Sequence, residues 1–152
     1  MFNLLAENLN FGEGPRWHND KLWFSDFYQH AVLTVDLNGN IEKIVDIPNQ
    51  PSGLGWLPNG DLLIVSMLDR KIMKYSNNVL TLHSDLSELT PFRCNDMVVD
   101  RDGHAYVGNF GSLHHAKDVK PTCLIHIDPD GNANIAACLL YTSDAADDLW
   151  CV

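Results

Sequence analysis

A repeat of about forty residues constrains this chain more than any other feature of its sequence. Its three units open with segments that align with one another, at residues 12–17, 51–56 and 94–99. The offset is 39 residues between the first two units and 43 residues between the second and the third. Repeats of this length typically build arrays in which each unit buries its apolar face against the next unit.

Each unit has the same order of short apolar strands and polar turns. Turns at 18–21, 58–61 and 100–104 join the first and second strands, third strands are predicted at 32–36, 71–75 and 123–128, and fourth strands at 41–46, 79–83 and 133–137. Asn-Gly and Asp-Gly turns favour this interpretation because they accept the positive φ of tight hairpins. Four short antiparallel strands per unit predict the blade of a β-propeller. A β-sandwich or barrel is the alternative, but it does not explain why whole units recur in phase.

The predicted fold is therefore all-β, with about three four-stranded propeller blades in residues 1–138. Residues 86–89 are the only candidate for a helical turn, and a strand at residues 3–7 is expected to belong to a closing blade. Since propellers close with about 4 to 8 blades, we expect a chain that holds part of a propeller. Residues 139–152 lack strand alternation, and we expect them to be a sequencing or assembly artefact; a short natural helix is the alternative.

Composition excludes several classes of function. Apolar residues make up 45% of the chain and charged residues 20%, which is typical of a soluble globular domain. The net charge of −10 argues against nucleic-acid binding, and no apolar run approaches the roughly 20 residues of a membrane span. The four cysteines, at positions 94, 123, 138 and 151, show no metal-binding spacing, so we expect reduced thiols in a cytoplasmic protein.

The repeat offsets place Glu13, Ser52 and Asn95 at equivalent positions of the three first strands. First strands of propeller blades line the central channel, so these side chains are expected to converge near the axis. Carboxylate and amide oxygens suit Ca²⁺ or Mg²⁺ and are acceptable to Zn²⁺ or Mn²⁺. The alternatives are a surface carboxylate at Glu13, a small turn residue at Ser52, and at Asn95 a turn residue that bonds its own backbone.

Arg93 lies two residues before Asn95 and is expected to point the same way along the strand. A guanidinium in the channel can orient a hydroxylated or anionic ligand, whereas a surface arginine is the alternative. His114 and His115, in the loop at 111–121, are a weaker candidate for ligand contact. We expect no functional role for four other histidines, which have no partner at ligand spacing along the chain: His18, His83, His104 and His126. We expect three tryptophans to pack in the core or between blades: Trp17, Trp23 and Trp56.

The segments at 12–17 and 22–26, at 51–55, and at 93–103 resemble the family of gluconolactonases, senescence-marker proteins and luciferin-regenerating enzymes. The resemblance extends over roughly residues 5 to 137. It implies a six-bladed propeller that hydrolyses lactones with a bound divalent cation, calcium being the first expectation and zinc, magnesium or manganese the others. By resemblance, Glu13 matches a metal ligand of the family, and Arg93 and Asn95 match residues that hold the substrate near the metal.

The resemblance also implies parts that this sequence does not contain. The family's other ligands, an asparagine and an aspartate that also serves as base, are expected to lie beyond these blades, so we assign no catalytic residue. We expect a metal-dependent lactone hydrolase that is truncated and inactive as this chain, with a small-molecule lactone as substrate. The alternatives are a calcium-binding or scaffold propeller without catalysis and, less favoured, a strictosidine-synthase-like propeller. Open blade edges are expected to promote self-association.

Overall fold

The computed structural model describes residues 4–112 and 120–140, and every regular element within these ranges is a β-strand. The strands are β1 (Gly12–His18), β2 (Lys21–Asp26), β3 (Ala31–Val35), β4 (Ile41–Asp46), β5 (Pro51–Trp56), β6 (Leu62–Ser66), β7 (Lys71–Ser76), β8 (Val79–Asp85), β9 (Cys94–Val99), β10 (Ala105–Asn109), β11 (Thr122–Ile127) and β12 (Ala133–Leu140). They form three four-stranded antiparallel sheets, each with its strands in sequence order. The predicted blades are confirmed, and blades 1, 2 and 3 denote them below.

Recurring aspartates build the hairpin turns between the third and fourth strands. In blade 1, Oδ1 of Asp36 accepts hydrogen bonds from the backbone N–H groups of Asn38 and Asn40, and Asp128 does the same in blade 3. The side chain and the backbone N–H of Asn40 lower the pKa of Asp36. Gly39 occupies the left-handed region, with φ of +85°, which few residues with a side chain adopt. The predicted Asn-Gly turn is therefore present.

Apolar faces are buried between neighbouring blades. The cluster between blades 1 and 2 consists of Val32, Ile47, Leu54, Leu62 and Ile64. The cluster between blades 2 and 3 includes Leu63, Val65, Ile72, Met97, Val107 and Ile125. Strand β6 of blade 2 thus alternates its side chains between the two neighbouring blades, which shows why such a repeat requires several units. The described residues contain no helix of the length and apolarity that a membrane crossing demands.

The N-terminal segment differs from its prediction. Residues 4–7 form no strand, and residue 3 lies outside the described residues. The segment crosses the open face of blade 1, where Ala6 packs against a buried cluster that includes Phe24 and Leu33. The backbone N–H groups of Asn10 and Phe11 donate to the carboxylate of Asp26, so a side chain takes the place of a neighbouring strand.

The C-terminal boundary extends slightly beyond its prediction. Strand β12 continues to Leu140, where it pairs with Thr122, so the sheet passes the expected boundary at residue 138 by two residues. Residues 141–152 lie outside the described residues, and their interpretation as an artefact stays a prediction. Residues 86–89 form the single turn that was considered, in which the N–H groups of Leu89 and Thr90 donate to the carbonyl of Leu86.

Candidate functional site

Strand pairing places Glu13, Ser52 and Asn95 at the same position of three successive blades. Each of them directly follows the residue that opens the pairing of its inner strand, in the pairs Gly12–Asp26, Pro51–Ser66 and Cys94–Asn109. In every blade the register then shifts, because two residues of the inner strand face one residue of the second strand. Ser52 and Asn95 lie within these bulges, whereas Glu13 pairs with Ser25 just before the bulge of its blade. Such bulges redirect side chains and are frequent beside functional sites. The geometric equivalence predicted from the repeat offsets is therefore present.

Glu13, Ser52 and Asn95 are called the ring below, and hydrogen bonds of Ser25, Ser52 and Asn95 connect the three blades beside it. The Ser25 hydroxyl of blade 1 donates to the Ser52 carbonyl at 2.6 Å, and the Ser52 hydroxyl donates to Oδ1 of Asn95 at 3.2 Å. Ser52 and Asn95 are 1% and 3% exposed, so the contact between them is shielded from water. Buried polar groups need such partners, and this chain of bonds holds the Asn95 amide in a defined position.

Glu13 is half-buried on β1, opposite Ser25 on β2. Its neighbour Gly14 has φ of +56°, and a Cβ atom there would lie 3.0 Å from the Ser52 carbonyl oxygen. A glycine at this position allows the backbone of β1 to approach that of β5 closely. The Gly-Glu-Gly segment thus brings the backbone next to Glu13 close to the strand that carries Ser52.

Arg93 is exposed and immediately precedes β9 instead of lying within it. Its carbonyl accepts a hydrogen bond from the N–H of Phe110 at 3.1 Å, which fixes the backbone beside the end of β10. The expectation that Arg93 points the same way as Asn95 stays a prediction, since Arg93 lies just outside the strand. Exposure leaves the guanidinium accessible to a ligand in solution.

An ion pair that the sequence did not predict lies beside the ring. Nη2 of Arg16 in blade 1 donates to Oδ1 of Asp96 at 2.9 Å and to the carbonyl of Met97 at 2.8 Å, both in blade 3. Asp96 also accepts the N–H of Met97 at 2.7 Å. The contact spans blade 2, and its partners are 80 residues apart, so no local spacing indicates it. Because Arg16 neutralises Asp96, this carboxylate is committed to structure.

The oxygen atoms of the ring are of the type that a divalent cation prefers, but they are too few to form a complete site. Glu13, Ser52 and Asn95 offer carboxylate, hydroxyl and amide oxygens, which hard cations prefer. Within residues 4–112 and 120–140, no group of three His, Cys, Asp or Glu side chains could hold a metal ion. Calcium takes about 6 to 8 oxygen ligands, more than these three residues supply. The assigned roles of Glu13, Arg93 and Asn95 stay predictions.

Two histidines that have no partner at ligand spacing along the chain contact each other in the fold. Nδ1 of His104 lies 2.9 Å from Nε2 of His126, and Nδ1 of His126 lies 2.9 Å from Oδ1 of Asn134. The expectation that neither histidine has a functional role stays a prediction, and spacing along the chain does not indicate this contact. Pairing of β10 with β11 places His126 opposite Tyr106, two residues after His104. His114 and His115 lie outside the described residues.

The tryptophans were predicted correctly in two of three positions. His18 stacks on Trp56 with ring centroids 4.0 Å apart, and Trp23 meets Trp56 edge-on, so Trp23 and Trp56 pack between blades 1 and 2. Trp17 is 55% exposed and does not belong to the core. A shallow cavity of about 550 Å³ opens beside Trp23 and Trp56. It lies at the opposite end of β5 from Ser52, away from the ring.

Comparison with known families identifies the chain. The family described as the SMP-30/gluconolactonase/LRE-like region matches residues 11–146. The chain belongs to this family. A comparison with curated proteins gives no match.

Solved structures confirm the fold of this SMP-30/gluconolactonase/LRE-like chain. A gluconolactonase from Xanthomonas campestris is 18% identical, with 90% of this chain and 50% of that one covered at a TM-score of 0.72. The calcium-binding protein regucalcin from Agrobacterium tumefaciens is 20% identical, with coverages of 86% and 44% and a TM-score of 0.67. A luciferin-regenerating enzyme is 11% identical, with coverages of 86% and 45% and a TM-score of 0.63. The likeness shows the β-propeller fold, and this chain spans about half the length of these proteins.

Proposed function

We propose that these blades belong to a divalent-metal-dependent lactone hydrolase. The observation that carries the proposal is the ring of Glu13, Ser52 and Asn95 at one register position of three blades, with Ser52 bonded to Asn95. Membership of the SMP-30/gluconolactonase/LRE-like family supports it, as does the structural likeness to a gluconolactonase. The proposed substrate is a small lactone, such as the cyclic ester of a sugar acid.

The proposed roles follow from the chemistry of each side chain. Glu13 would bind the cation through its carboxylate, and calcium is the first expectation because the donors of the ring are oxygens. A bound cation supplies a Lewis acid for the lactone carbonyl. Asn95, held by Ser52, and the exposed Arg93 would bind substrate hydroxyl groups and fix the direction of attack. We assign no catalytic base within the described residues.

For the 152-residue chain we propose no measurable turnover. One carboxylate and two neutral oxygen donors do not satisfy the coordination that a divalent cation requires. Lactone hydrolysis by this chain that disappears in Glu13→Gln would contradict this part of the proposal.

The test of function starts with sequencing of the source DNA beyond the codon for Cys138. If the reading frame continues with further blades, that longer form is used for the assay. Acid release from a panel of sugar lactones is measured with calcium, zinc, magnesium or manganese. We expect Glu13→Gln to lower kcat/KM by at least about 100-fold, the scale of losing one electrostatic contact to the reacting group. Glu88→Gln, which alters an exposed carboxylate in a turn, is the matched control and should leave kcat/KM unchanged. Equal rates for both variants would refute the role of Glu13.

A calcium-binding propeller without catalysis is the second candidate. The structural likeness to a calcium-binding regucalcin favours it, together with the oxygen donors of the ring. Calcium titration followed by the lactone panel separates the two. Calcium binding that depends on Glu13, with no hydrolysis of any lactone by the longer form, would favour this second function.

A further inference from the structure

Two cysteines of blade 3 lie directly opposite each other on adjacent strands. Cys123 of β11 pairs with Cys138 of β12, and both are free thiols. Directly opposed residues of antiparallel strands point to the same face, with Cα atoms about 4.5 to 5.5 Å apart. A disulfide bridges Cα atoms that are about 4.4 to 6.8 Å apart. Register shifts lie on both sides of this pair, between Thr122 and Cys123 and between Leu124 and Ile125, and the two cysteines stay opposed between them. The strand register therefore places their Cα atoms within the range of a disulfide.

Small reagents can reach the pair of thiols from the side of Cys138. Cys138 is exposed, whereas Cys123 is partly buried, with its sulfur 3.8 Å from the Leu89 carbonyl oxygen. Both cysteines line an open cavity of about 250 Å³ between β11, β12 and the segment at residues 89–92. Burial raises the pKa of Cys123, so its thiolate forms less readily than that of an ordinary exposed thiol. A reagent would thus react first at Cys138.

Cys94 provides a contrast within the same blade. It is fully buried in the apolar cluster between blades 2 and 3, where burial raises its pKa to about 12. Its cross-strand partner is Asn109, so no thiol lies opposite it. Oxidation should therefore be selective for the pair on β11 and β12.

We propose that Cys123 and Cys138 form a redox modification site that low-molecular-weight disulfides, such as glutathione disulfide, convert into a cross-strand disulfide. The thiolate of Cys138 attacks one sulfur of glutathione disulfide and releases one glutathione thiolate, which takes up the proton lost by Cys138. Cys123 then loses its proton, attacks the Cys138 sulfur and releases the second glutathione. The protein loses two hydrogen atoms, and the reagent is reduced to two thiols.

The Cys123–Cys138 disulfide would link the edge strand of blade 3 covalently to its neighbour. Among the strands of residues 4–112 and 120–140, β12 is the outermost of its sheet and pairs only with β11. A covalent link between the two strands restricts opening of this edge, which otherwise presents unpaired backbone groups. The site is independent of the proposed lactone chemistry, since neither cysteine belongs to the ring of Glu13, Ser52 and Asn95.

The test uses the full chain with Cys151→Ser, so that a third reactive thiol is absent. The protein is treated with glutathione disulfide, quenched with acid, denatured and alkylated. It is then cut by a proteinase specific for aspartate, since Asp128 and Asp130 lie between the two cysteines. Mass spectrometry should find peptides that are joined through Cys123 and Cys138, with Cys94 alkylated. Cys138→Ser should yield no joined peptide, and Cys123→Ser should carry glutathione on Cys138.

Three outcomes would overturn the proposal. The first is recovery of both cysteines as thiols, and the second is glutathione on both without a link. The third is the same distribution of linked peptides, including those with Cys94, from the native chain as from a sample oxidised in urea. That last comparison establishes whether the fold directs the pairing.

Discussion

The Ser52 hydroxyl and the Asn95 amide oxygen lie 3.2 Å apart and join the inner strands of two neighbouring blades. Both side chains are buried, so the hydrogen bond contributes more than an exposed one would. The bond also orients Asn95, which we propose as a substrate-binding residue. Stability and the geometry of the candidate site therefore depend on the same contact.

A double-mutant cycle with Ser52→Ala and Asn95→Ala measures this contact. We expect Ser52→Ala to lower the free energy of unfolding by about 1 kcal/mol, the net value of a typical hydrogen bond. The two variants should show a coupling energy of at least about 0.5 kcal/mol, since they remove two ends of one bond. Urea unfolding at neutral pH provides the values. Effects that add to within about 0.3 kcal/mol would show that the pair is not coupled.

Gly53 allows blades 2 and 3 to approach each other. A Cβ atom at Gly53 would lie 2.3 Å from the Met97 nitrogen and 2.8 Å from the Asp96 carbonyl carbon, which are backbone atoms that cannot yield easily. We expect Gly53→Ala to destabilise the fold by about 1 to 3 kcal/mol, the usual cost of overpacking. Gly12→Ala is the matched control, because its Cβ would meet only Phe24, at 3.8 Å. Similar unfolding midpoints for the two variants would disprove the close approach.

The in-phase recurrence of turns and apolar strands was sufficient to predict the blades and the register of the site. Counting 39 and 43 residues from Glu13 leads to Ser52 and Asn95, and strand pairing places all three at one position. This succeeded because the repeat encodes local hairpins, whose register depends on turn length and on alternation of side chains.

Contacts between side chains that are distant in sequence were not predictable in the same way. The Arg16–Asp96 pair and the His104–His126 pair depend on how sheets and strands are juxtaposed, which no periodicity in the sequence specifies. Arg93 precedes β9 because the chain there is still turning from blade 2 into blade 3. The contact of the Asp26 carboxylate with the backbone of Asn10 and Phe11, just after the expected strand at residues 3–7, is likewise not indicated by any periodicity.

The Arg16–Asp96 pair should contribute modestly and depend on salt. Its side chains are 30% and 42% exposed, which places it near the range of about 0 to 1 kcal/mol measured for surface pairs. Arg16→Met retains the aliphatic stem but loses both the carboxylate and the Met97 carbonyl contacts. At low ionic strength we expect Arg16→Met to lower the free energy of unfolding by an amount near the top of that range. The difference from the wild type should become smaller as salt screens the pair. Arg101→Met is the control, because the Arg101 side chain is 92% exposed and its replacement should leave the free energy of unfolding unchanged. A loss of stability in Arg16→Met that does not depend on salt would exclude an electrostatic origin.

Asp26 should make stability depend on pH through the N-terminal segment. Its carboxylate accepts hydrogen bonds from the backbone N–H groups of Asn10, Phe11 and Gln29 and from the Gln29 side chain. Burial acts to raise the pKa of Asp26, but these donors together hold it below its ordinary value. A carboxyl group whose pKa is lower in the folded state stabilises the fold above its unfolded pKa, about 3.9, and loses this contribution as the pH falls through the folded value.

Asp26→Asn replaces a charged acceptor by an amide that cannot accept at both ends. We expect the free energy of unfolding at pH 7 to fall by about 1.5 to 3 kcal/mol, the range for hydrogen bonds to a charged group. The difference between the wild type and the variant should narrow below about pH 4, because the wild type then loses the same charge. Urea unfolding at neutral and acidic pH measures both values, with the exposed Asp20→Asn as the control. If the difference in the free energy of unfolding between the wild type and Asp26→Asn stays constant with pH, the negative charge of Asp26 does not hold the N-terminal segment.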